Sequence, residues 1–479
     1  MEHSSFSNIY RVLRVLGSAS LVTSALSLVR NKAFAVFLGP AGYGSIVLLT
    51  ALINTAGNLC GIGTGYSGTR IISRARGRSR MRAAAFFEAC LVAQGHRQAV
   101  IAFVLTTIVL STWWYVVGPG QFDGAWIPAV AAGAAFAITA SINTTRLQVM
   151  RLSTRLAAVS AGAALIHTVI GISFAYALGR AAVPVIVAAI PFSLLVASYI
   201  ALRDHPVQKI HASASRWRRI VQRSMLRMGV GLMMPGVVDS AGGFAVRAAG
   251  VAAIGLAAVG QVYAAMALVT FVTVTVMTAM NQDFLPRLCE SVGRREVFRR
   301  QATEQLFVSL MLTAPVVLVV CTFSGEITHL LFSSQFTEAA RVVPVMSILV
   351  VANISNWPVH TMQTALGYPR DQLSGSIANV LGALVVIGIN YKDLSHGTFA
   401  AALVVGSLAQ LATQSTLLWW REQIAYSAKD WIPGVLLVVT VLWLPFAEQY
   451  SPAWGRTAGL AIALVWAGVG LMHYARHRT

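Results

Sequence analysis

The stretch Leu16–Gly39, LGSASLVTSALSLVRNKAFAVFLG, is long and apolar enough to cross a bilayer, yet it carries Arg30, Asn31 and Lys32. About 20 apolar residues span the hydrocarbon core. A charge inside such a span costs about 2.5–3.5 kcal/mol on insertion scales, so two cations need a compensating environment. A helix that lines an aqueous cavity and meets an anion provides one. The stretch therefore predicts a transporter of an acidic substrate.

The rest of the chain has the same apolar character. Of its 479 residues, 56% are hydrophobic and 11% are charged, and the mean hydropathy is +0.69. These values predict an all-α polytopic membrane protein with no separate soluble domain. Fourteen transmembrane helices are expected, at about 16–38, 42–62, 98–117, 125–146, 156–178, 184–202, 228–249, 256–280, 305–323, 340–366, 373–390, 398–420, 431–447 and 456–475.

Lysine and arginine divide unevenly between the two sets of loops. Of the 36 such residues, 29 lie in the termini and every second loop. Only Arg180, Lys392 and Arg456 lie in the opposite loops, and the other four lie in or at the ends of spans. The positive-inside rule places both termini in the cytoplasm. The net charge of +20 is thus a topology signal, which predicts contacts with membrane lipids and no nucleic-acid partner.

An internal repeat relates two halves of the chain. The hexapeptide GPAGYG at 39–44 returns as GLAAVG at 255–260, 216 residues later, and each opens a span. Six spans separate the copies, so they share one orientation and predict two pseudo-symmetric six-helix lobes. The expected domains are an N-lobe of spans 1–6, a basic cytoplasmic linker, a C-lobe of spans 7–12, and spans 13–14 with a short tail. Their ranges are 1–203, 204–227, 228–420 and 421–479.

Charged residues in the first and seventh spans are the first substrate-binding candidates. Arg30 and Lys32 point about 160° apart on a helix, so both cannot face one narrow cavity. Either residue alternatively reaches an interface along its aliphatic stem. Asp239 lies near the middle of the seventh span and Arg247 eight residues further on. A transport role competes there with a structural ion pair, for which Arg30 or Lys32 is the expected partner of Asp239.

Polar stripes on two other spans are further candidates. Asn353, Asn356, His360 and Gln363 are spaced 3, 4 and 3 apart on the tenth span and share one face. Amides on a helix suit sugar hydroxyls, and they equally suit hydrogen bonds between helices. Asn143 is a similar candidate on the fourth span.

Charged residues at cytoplasmic span ends form a separate group. They are either an inner gate of ion pairs or topology anchors: Arg70, Arg146, Asp283 and Arg287. No catalytic motif, metal-ligand cluster or nucleotide-binding loop is present in the sequence. The four cysteines lack the spacing of a disulfide framework. A non-enzyme without a resident cofactor is therefore expected, with a proton or sodium ion as the candidate coupling ion.

A family resemblance rests on four segments. They are LVRNKAFAVFLGPAGYGSIVLLTALINTAGNLCGIGTGYSGTR (28–70), FLPRL (284–288), LLFSSQFTEAARVVPVMSI (330–348) and ALGYPRDQLSGSIANVLGALVVIGINY (365–391). Together they resemble the Wzx-type flippases for O-antigen and exopolysaccharide, members of the multidrug/oligosaccharidyl-lipid/polysaccharide (MOP) exporter superfamily. The resemblance implies the MOP fold and a place in the bacterial inner membrane.

The resemblance also implies a substrate and a mechanism. Such proteins move undecaprenyl-pyrophosphate-linked oligosaccharide across the membrane by alternating access around a cationic cavity, for surface polysaccharide biosynthesis. Similar flippases carry a cavity-facing arginine in the first helix, which maps onto Arg30. A polysaccharide polymerase and a chain-length regulator are the implied partners. Three alternatives remain open: a lipid II flippase, a multidrug cation exporter, and, from another class, a polytopic glycosyltransferase or polysaccharide polymerase.

Overall fold

A computed structural model describes residues 2–77, 80–117, 124–150, 152–207, 215–424, 426 and 428–476, and throughout these ranges the regular structure is helical. The predicted all-α polytopic fold class is confirmed. Fourteen α-helices are present among the described residues. They are α1 (Glu2–Gly61), α2 (Thr64–Gly77), α3 (Met81–Val117), α4 (Ile127–Val149), α5 (Ser153–Leu178), α6 (Val183–Leu202), α7 (Ser215–Ser291), α8 (Arg295–Thr322), α9 (Ser324–Leu331), α10 (Thr337–Leu366), α11 (Pro369–Ile389), α12 (His396–Glu422), α13 (Ala428–Tyr450) and α14 (Pro452–Arg476).

The predicted spans correspond to these helices or to their halves. Ten stretches of the described residues are long and apolar enough to cross a membrane. Three of them, Val22–Gly61, Thr154–Leu202 and Met233–Phe271, have 40, 49 and 39 residues, so each accommodates two predicted spans. The predicted fourteenth span appears as the shorter apolar stretch Trp454–Val469.

Two long helices are bent at glycines that the repeat relates. α1 changes direction at Gly39 (φ 67°) and α7 at Gly255 (φ 84°). A positive φ suits glycine because it has no Cβ to clash with its own backbone. The bends separate the first predicted span from the second and the seventh from the eighth. After these bends the two copies of the repeat differ. The first copy has a second interruption of the helix, at Ile62 (φ 40°) and Gly63 (φ 61°).

The chain divides into two compact units. Unit 1 comprises residues 1–38 and 45–244, and unit 2 comprises residues 39–44 and 245–479. In unit 1, α4 packs on α3 and α6, α5 packs on α6, and α2 packs on α3. In unit 2, α12 packs on α10 and α11, while α13 and α14 pack on α8 and on each other. The lobe boundaries at 203, 228 and 420 stay predictions.

Each unit has buried apolar clusters that hold its helices together. In unit 1 one cluster includes Ile72, Leu91 and Met225 from α2, α3 and α7. In unit 2 a larger cluster includes Phe284, Phe298 and Leu418 from α7, α8 and α12. Many other apolar side chains are exposed on the helix surfaces, as expected for a lipid-facing protein.

Candidate functional site

A polar cavity of about 520 Å³ lies within unit 1, between α1, α2, α3, α4, α6 and α7. Its volume is in the range of small-molecule sites, about 300–1,000 Å³. None of its lining residues, all of them in the described part of the chain, bears a charged side chain. Eleven of the lining side chains carry a hydroxyl or an amide: Thr50, Asn54, Asn58, Thr64, Tyr66, Thr69, Gln98, Ser141, Thr144, Thr145 and Gln148.

One wall of the cavity is a stripe on α1. Thr50, Asn54 and Asn58 recur every four residues, so they share one face of the helix. Asn58 Nδ2 donates a hydrogen bond to Ser240 Oγ of α7 at 2.5 Å. The neighbouring Thr55 Oγ1 donates to the Ser240 carbonyl at 2.9 Å. These bonds fix the stripe against α7, while the side chain of Asn54 remains exposed.

The end of this wall is set by the break between α1 and α2. Thr64 Oγ1 donates to the Gly61 carbonyl at 2.6 Å and accepts from Gln98 Nε2 of α3 at 2.7 Å. Gln98 thereby supplies a hydrogen bond where the helical ladder is interrupted. A Cβ on Gly63 would lie 2.5 Å from the carbonyl oxygen of Gly229, so the break packs directly against the backbone of α7.

Another part of the lining comes from α4 and α2. Ser141, Thr145 and Gln148 are spaced 4 and 3 apart on α4 and line the cavity together. Tyr66 of α2 also lines it, and this residue is 66% exposed. An exposed aromatic ring beside amides and hydroxyls offers an apolar face together with hydrogen-bonding groups. The cavity is therefore suited to a neutral, hydroxyl-rich group.

Arg30 lies elsewhere in unit 1, on the first half of α1. Its Nη1 lies 2.9 Å from Nδ1 of His167 on α5, and its Nη2 donates to Ser27 Oγ at 3.3 Å. Because a guanidinium only donates, His167 Nδ1 must accept, and the imidazole is neutral with its proton on Nε2. His167 is buried and Arg30 is partly exposed. Because the imidazole is neutral, this hydrogen bond leaves the guanidinium of Arg30 with its full positive charge.

The other candidate residues of the first and seventh spans differ in exposure. Asn31 and Lys32 are partly exposed, like Arg30, whereas Asp239 is exposed. Arg247 belongs to unit 2, where its guanidinium carbon stacks 4.6 Å from the ring centre of Tyr263. The predicted pairing of Asp239 with Arg30 or Lys32 stays a prediction.

The predicted stripe on α10 lies in unit 2 and has mixed surroundings. Asn356 and Gln363 are buried, whereas Asn353 and His360 are partly exposed. Gln363 Nε2 donates to the Gln414 carbonyl of α12 at 3.2 Å. This bond favours the interpretation that Gln363 joins α10 to α12 over the interpretation that it contacts a sugar.

Asn143 and Arg146 do not line the unit 1 cavity, although their neighbours do. Asn143 Nδ2 donates to Ser198 Oγ of α6 at 3.2 Å. Arg146 is buried rather than extended to an interface, and its Nε lies 2.8 Å from Glu88 Oε1 of α3. Arg70 and Arg287 are exposed, and the side chain of Asp283 lies outside the described residues.

The cavity stripes are the residues that sequence reasoning missed, although a signal was present. Thr50, Asn54 and Asn58 follow a spacing of 4 and 4, and Ser141, Thr145 and Gln148 follow 4 and 3. Asn143 and Arg146, the residues that the sequence singled out on α4, do not line the cavity and lie on a neighbouring face of that helix. Nothing in the sequence linked His167 to Arg30, 137 residues away.

Comparison with solved structures gives the class of fold. An inward-facing multidrug resistance MATE family transporter of the MOP superfamily aligns with a TM-score of 0.69 at 15% identity, over 86% of this chain and 98% of that one. A MOP superfamily transporter from Pyrococcus furiosus Vc1 aligns with a TM-score of 0.59 at 16% identity, over 86% and 95% of the two chains. The Vibrio cholerae MATE transporter VcmN aligns with a TM-score of 0.57 at 13% identity, over 87% and 99%.

The protein is thus a multi-pass membrane protein with the fold of the MATE and MOP transporters. Its structural neighbours are transporters and not enzymes. Neither the protein-family models nor the curated proteins include a match to the sequence. At these identities the likeness shows the fold alone, and the substrate has to be argued from the site.

Proposed function

We propose that this protein is a flippase for undecaprenyl-pyrophosphate-linked oligosaccharide, acting in surface polysaccharide biosynthesis. The observation that carries the proposal is the unit 1 cavity, whose eleven hydroxyl and amide side chains are accompanied by no charged one. Amides and hydroxyls both donate and accept hydrogen bonds, which matches the hydroxyls of a glycan. Such a lining replaces the water that a sugar loses inside a membrane protein.

Arg30 supplies the charge that a pyrophosphate requires. Its guanidinium stays ionised beside the neutral acceptors His167 and Ser27. Arginine binds phosphate oxygens through two parallel N–H groups, and such charge-assisted bonds are stronger than neutral ones. In this assignment the pyrophosphate meets Arg30, the glycan occupies the cavity and the lipid tail stays in the bilayer.

The setting follows from the charge distribution and the family resemblance. The basic loops and both termini face the cytoplasm, in the bacterial inner membrane, so the substrate enters from the cytoplasmic side. Alternating access moves it to the opposite leaflet, coupled to a proton or sodium ion. A polymerase and a chain-length regulator then receive the glycan.

Multidrug export is the second candidate, and the solved MATE multidrug transporter with the same fold favours it. A cationic drug would need a carboxylate in its site to offset the loss of hydration. The unit 1 cavity has none among its lining residues. The P. furiosus transporter is described as having a binding pocket of reversed polarity that suggests a different function, so the class of cargo varies on this fold.

Translocation by the purified protein distinguishes the two candidates. Proteoliposomes would carry lipid-linked oligosaccharide, and a membrane-impermeant glycosidase would be added outside. We expect cleavage to rise from the outer half of the substrate pool towards the whole pool, and Asn54→Ala to slow this rise. Asn390→Ala serves as the control, because that amide donates to the Val386 carbonyl of α11 and Asn390 does not line the cavity.

A parallel assay would follow ethidium movement in the same vesicles. Ethidium transport with unchanged glycan cleavage would overturn the flippase assignment in favour of drug export. Movement of peptidoglycan lipid II alone would favour the lipid II alternative.

A further inference from the structure

A second cavity, of about 210 Å³, lies within unit 2 at the ends of α8, α10, α12 and α13. Its lining is mainly apolar, with Val359 and Met362 of α10 among the contributors. Arg299 of α8 is also part of the lining. The charge distribution of the loops assigns these helix ends to the cytoplasmic side. The cavity thus combines an apolar interior with a cation near the membrane surface.

The cavity is shaped by the turn that follows α12. Gln423 adopts φ 54°, a left-handed conformation that is uncommon outside glycine and asparagine. Its N–H donates to the Trp419 carbonyl at 2.7 Å, and its own carbonyl accepts a hydrogen bond from Arg295 Nη2. The reversal brings Tyr426 against Trp431, with ring centres 5.4 Å apart.

Two hydroxyl groups of the cavity lining are buried. Neither the Tyr426 hydroxyl nor Ser415 Oγ has a hydrogen-bond partner among the residues that the structure describes. Burial raises the pKa of Tyr426, so its hydroxyl stays protonated and able to donate. Buried polar groups are nearly always hydrogen-bonded, so two orphan hydroxyls in one small cavity indicate a bound polar group.

The surroundings indicate which kind of molecule fits. The Arg299 side chain is 42% exposed, and its Nη2 lies 3.4 Å from Glu296 Oε2, an exposed pair that is weak in water. Trp419, which is 51% exposed, and Trp431 also line the cavity. Tryptophan is enriched at headgroup level, where one part of the ring is apolar and the other is wet.

We propose that this cavity binds an anionic phospholipid of the cytoplasmic leaflet. The lipid phosphate contacts Arg299, the ester or headgroup oxygens accept from Tyr426 and Ser415, and the upper acyl chain lies along Val359 and Met362. This site is separate from the unit 1 cavity, and it stands whether or not the protein is a flippase.

Native mass spectrometry of the detergent-solubilised full-length protein tests the proposal. Phosphatidylglycerol and phosphatidylcholine would be added in equal amounts, and the bound adducts counted. We expect phosphatidylglycerol to be retained at least about fivefold better, the preference to fall below about twofold in Arg299→Gln, and retention to fall in Tyr426→Phe. Arg300→Gln is the matched control, because Arg300 is on the same helix, pairs with Glu304 and does not line the cavity.

Several results would overturn the proposal. They are equal retention of the two lipids by the wild-type protein, unchanged adducts in both cavity variants, or an equal loss in Arg300→Gln. Displacement of the lipid by 10 mM inorganic phosphate would assign the site to free phosphate instead. If Arg299→Gln fails to fold, Tyr426→Phe still decides, because it removes a single oxygen and keeps the ring.

Discussion

At the scale of single residues, Arg30 shows how a cation is kept in a membrane helix. Its two characterised hydrogen-bonding partners, His167 and Ser27, are neutral, so neither cancels its charge. These two hydrogen bonds hold the guanidinium in place without adding a negative charge of their own.

Replacing Arg30 tests the use of that charge. We expect Arg30→Ala to reduce translocation at least about tenfold and Arg30→Lys to give an intermediate rate, because lysine keeps the charge and loses the planar fork. Glycan delivery in a strain that lacks the native protein is the measurement, with membrane insertion checked by immunoblot. Arg341→Ala is the control, since that exposed side chain pairs with Glu338, three residues earlier on the same helix. Full delivery by Arg30→Ala would exclude the role.

His167 is predicted to position Arg30 rather than to contact substrate. A hydrogen bond to a charged group is worth about 1.5–3 kcal/mol, so His167→Leu should weaken apparent substrate affinity about tenfold or more. His167→Gln offers a replacement acceptor and should restore most of the affinity. Substrate titration in proteoliposomes separates affinity from maximal rate. Equal defects in the leucine and glutamine variants would indicate a packing role instead.

At the scale of helices, the two repeat-related hexapeptides pack directly on each other within unit 2. A Cβ on Gly44 would lie 2.0 Å from the Leu256 carbonyl oxygen, and one on Gly260 would lie 2.1 Å from that of Pro40. The contact is therefore reciprocal, as a local two-fold relation requires. The repeat seen in the sequence thus coincides with a backbone contact that only glycine permits at both positions.

Alanine at this contact should destabilise the protein. Gly44→Ala and Gly260→Ala each place a methyl group against backbone, and overpacking of this kind costs about 1–3 kcal/mol. Gly162→Ala is the matched control, because an added Cβ there meets nothing within 4 Å and alanine is favoured in helix interiors. Thermal unfolding in detergent is the measurement. A melting temperature unchanged in both contact variants would show that the helices separate easily at this point.

A second pair of helix contacts also follows the repeat, with its charges reversed. In unit 1, Arg155 at the start of α5 pairs with Asp204 beyond the end of α6, at 3.3 Å. In unit 2, Asp371 at the start of α11 pairs with Arg421 at the end of α12, at 3.1 Å. Arg155 and Asp371 lie 216 residues apart, which is the interval of the repeat, and Asp204 and Arg421 lie 217 residues apart. In unit 1 the cation is at the start of the first helix of the pair, and in unit 2 the anion is there. Both contacts are attractive, although the two charges have exchanged places.

The helices could be located from the sequence more easily than the site. Hydrophobic length marks every span, because the bilayer imposes it on each helix separately. Which face of a helix lines a cavity depends on its neighbours, so the polar stripes of α4 and α10 could not be ranked from spacing alone. Arg146 illustrates the difficulty, since its partner Glu88 comes from a helix 58 residues earlier.

At the scale of the whole molecule, topology is the main inference from charge. The division of 29 basic residues against three predicts which helix ends face the cytoplasm. The orientation of the helices is therefore a prediction from this distribution of charge.

A native cysteine provides the test of orientation. Cys289 is exposed, whereas Cys60, Cys90 and Cys321 are buried. We expect an impermeant maleimide to label Cys289 in inverted vesicles and not in intact spheroplasts. In a Cys289→Ser background, Lys392→Cys should label with the opposite pattern, because Lys392 lies in a loop predicted to face outwards and is exposed. Labelling of Cys289 from outside would reverse the topology.

The assignment of the unit 1 cavity to the glycan is the central claim, and photo-crosslinking tests it most directly. Lipid-linked oligosaccharide with a diazirine on a sugar would be irradiated with the reconstituted protein, and the adducts mapped by mass spectrometry. The account predicts adducts in the peptides that contain Asn54, Tyr66 and Gln148, and their loss when unlabelled substrate competes. Adducts confined to unit 2 peptides, with translocation intact, would contradict it.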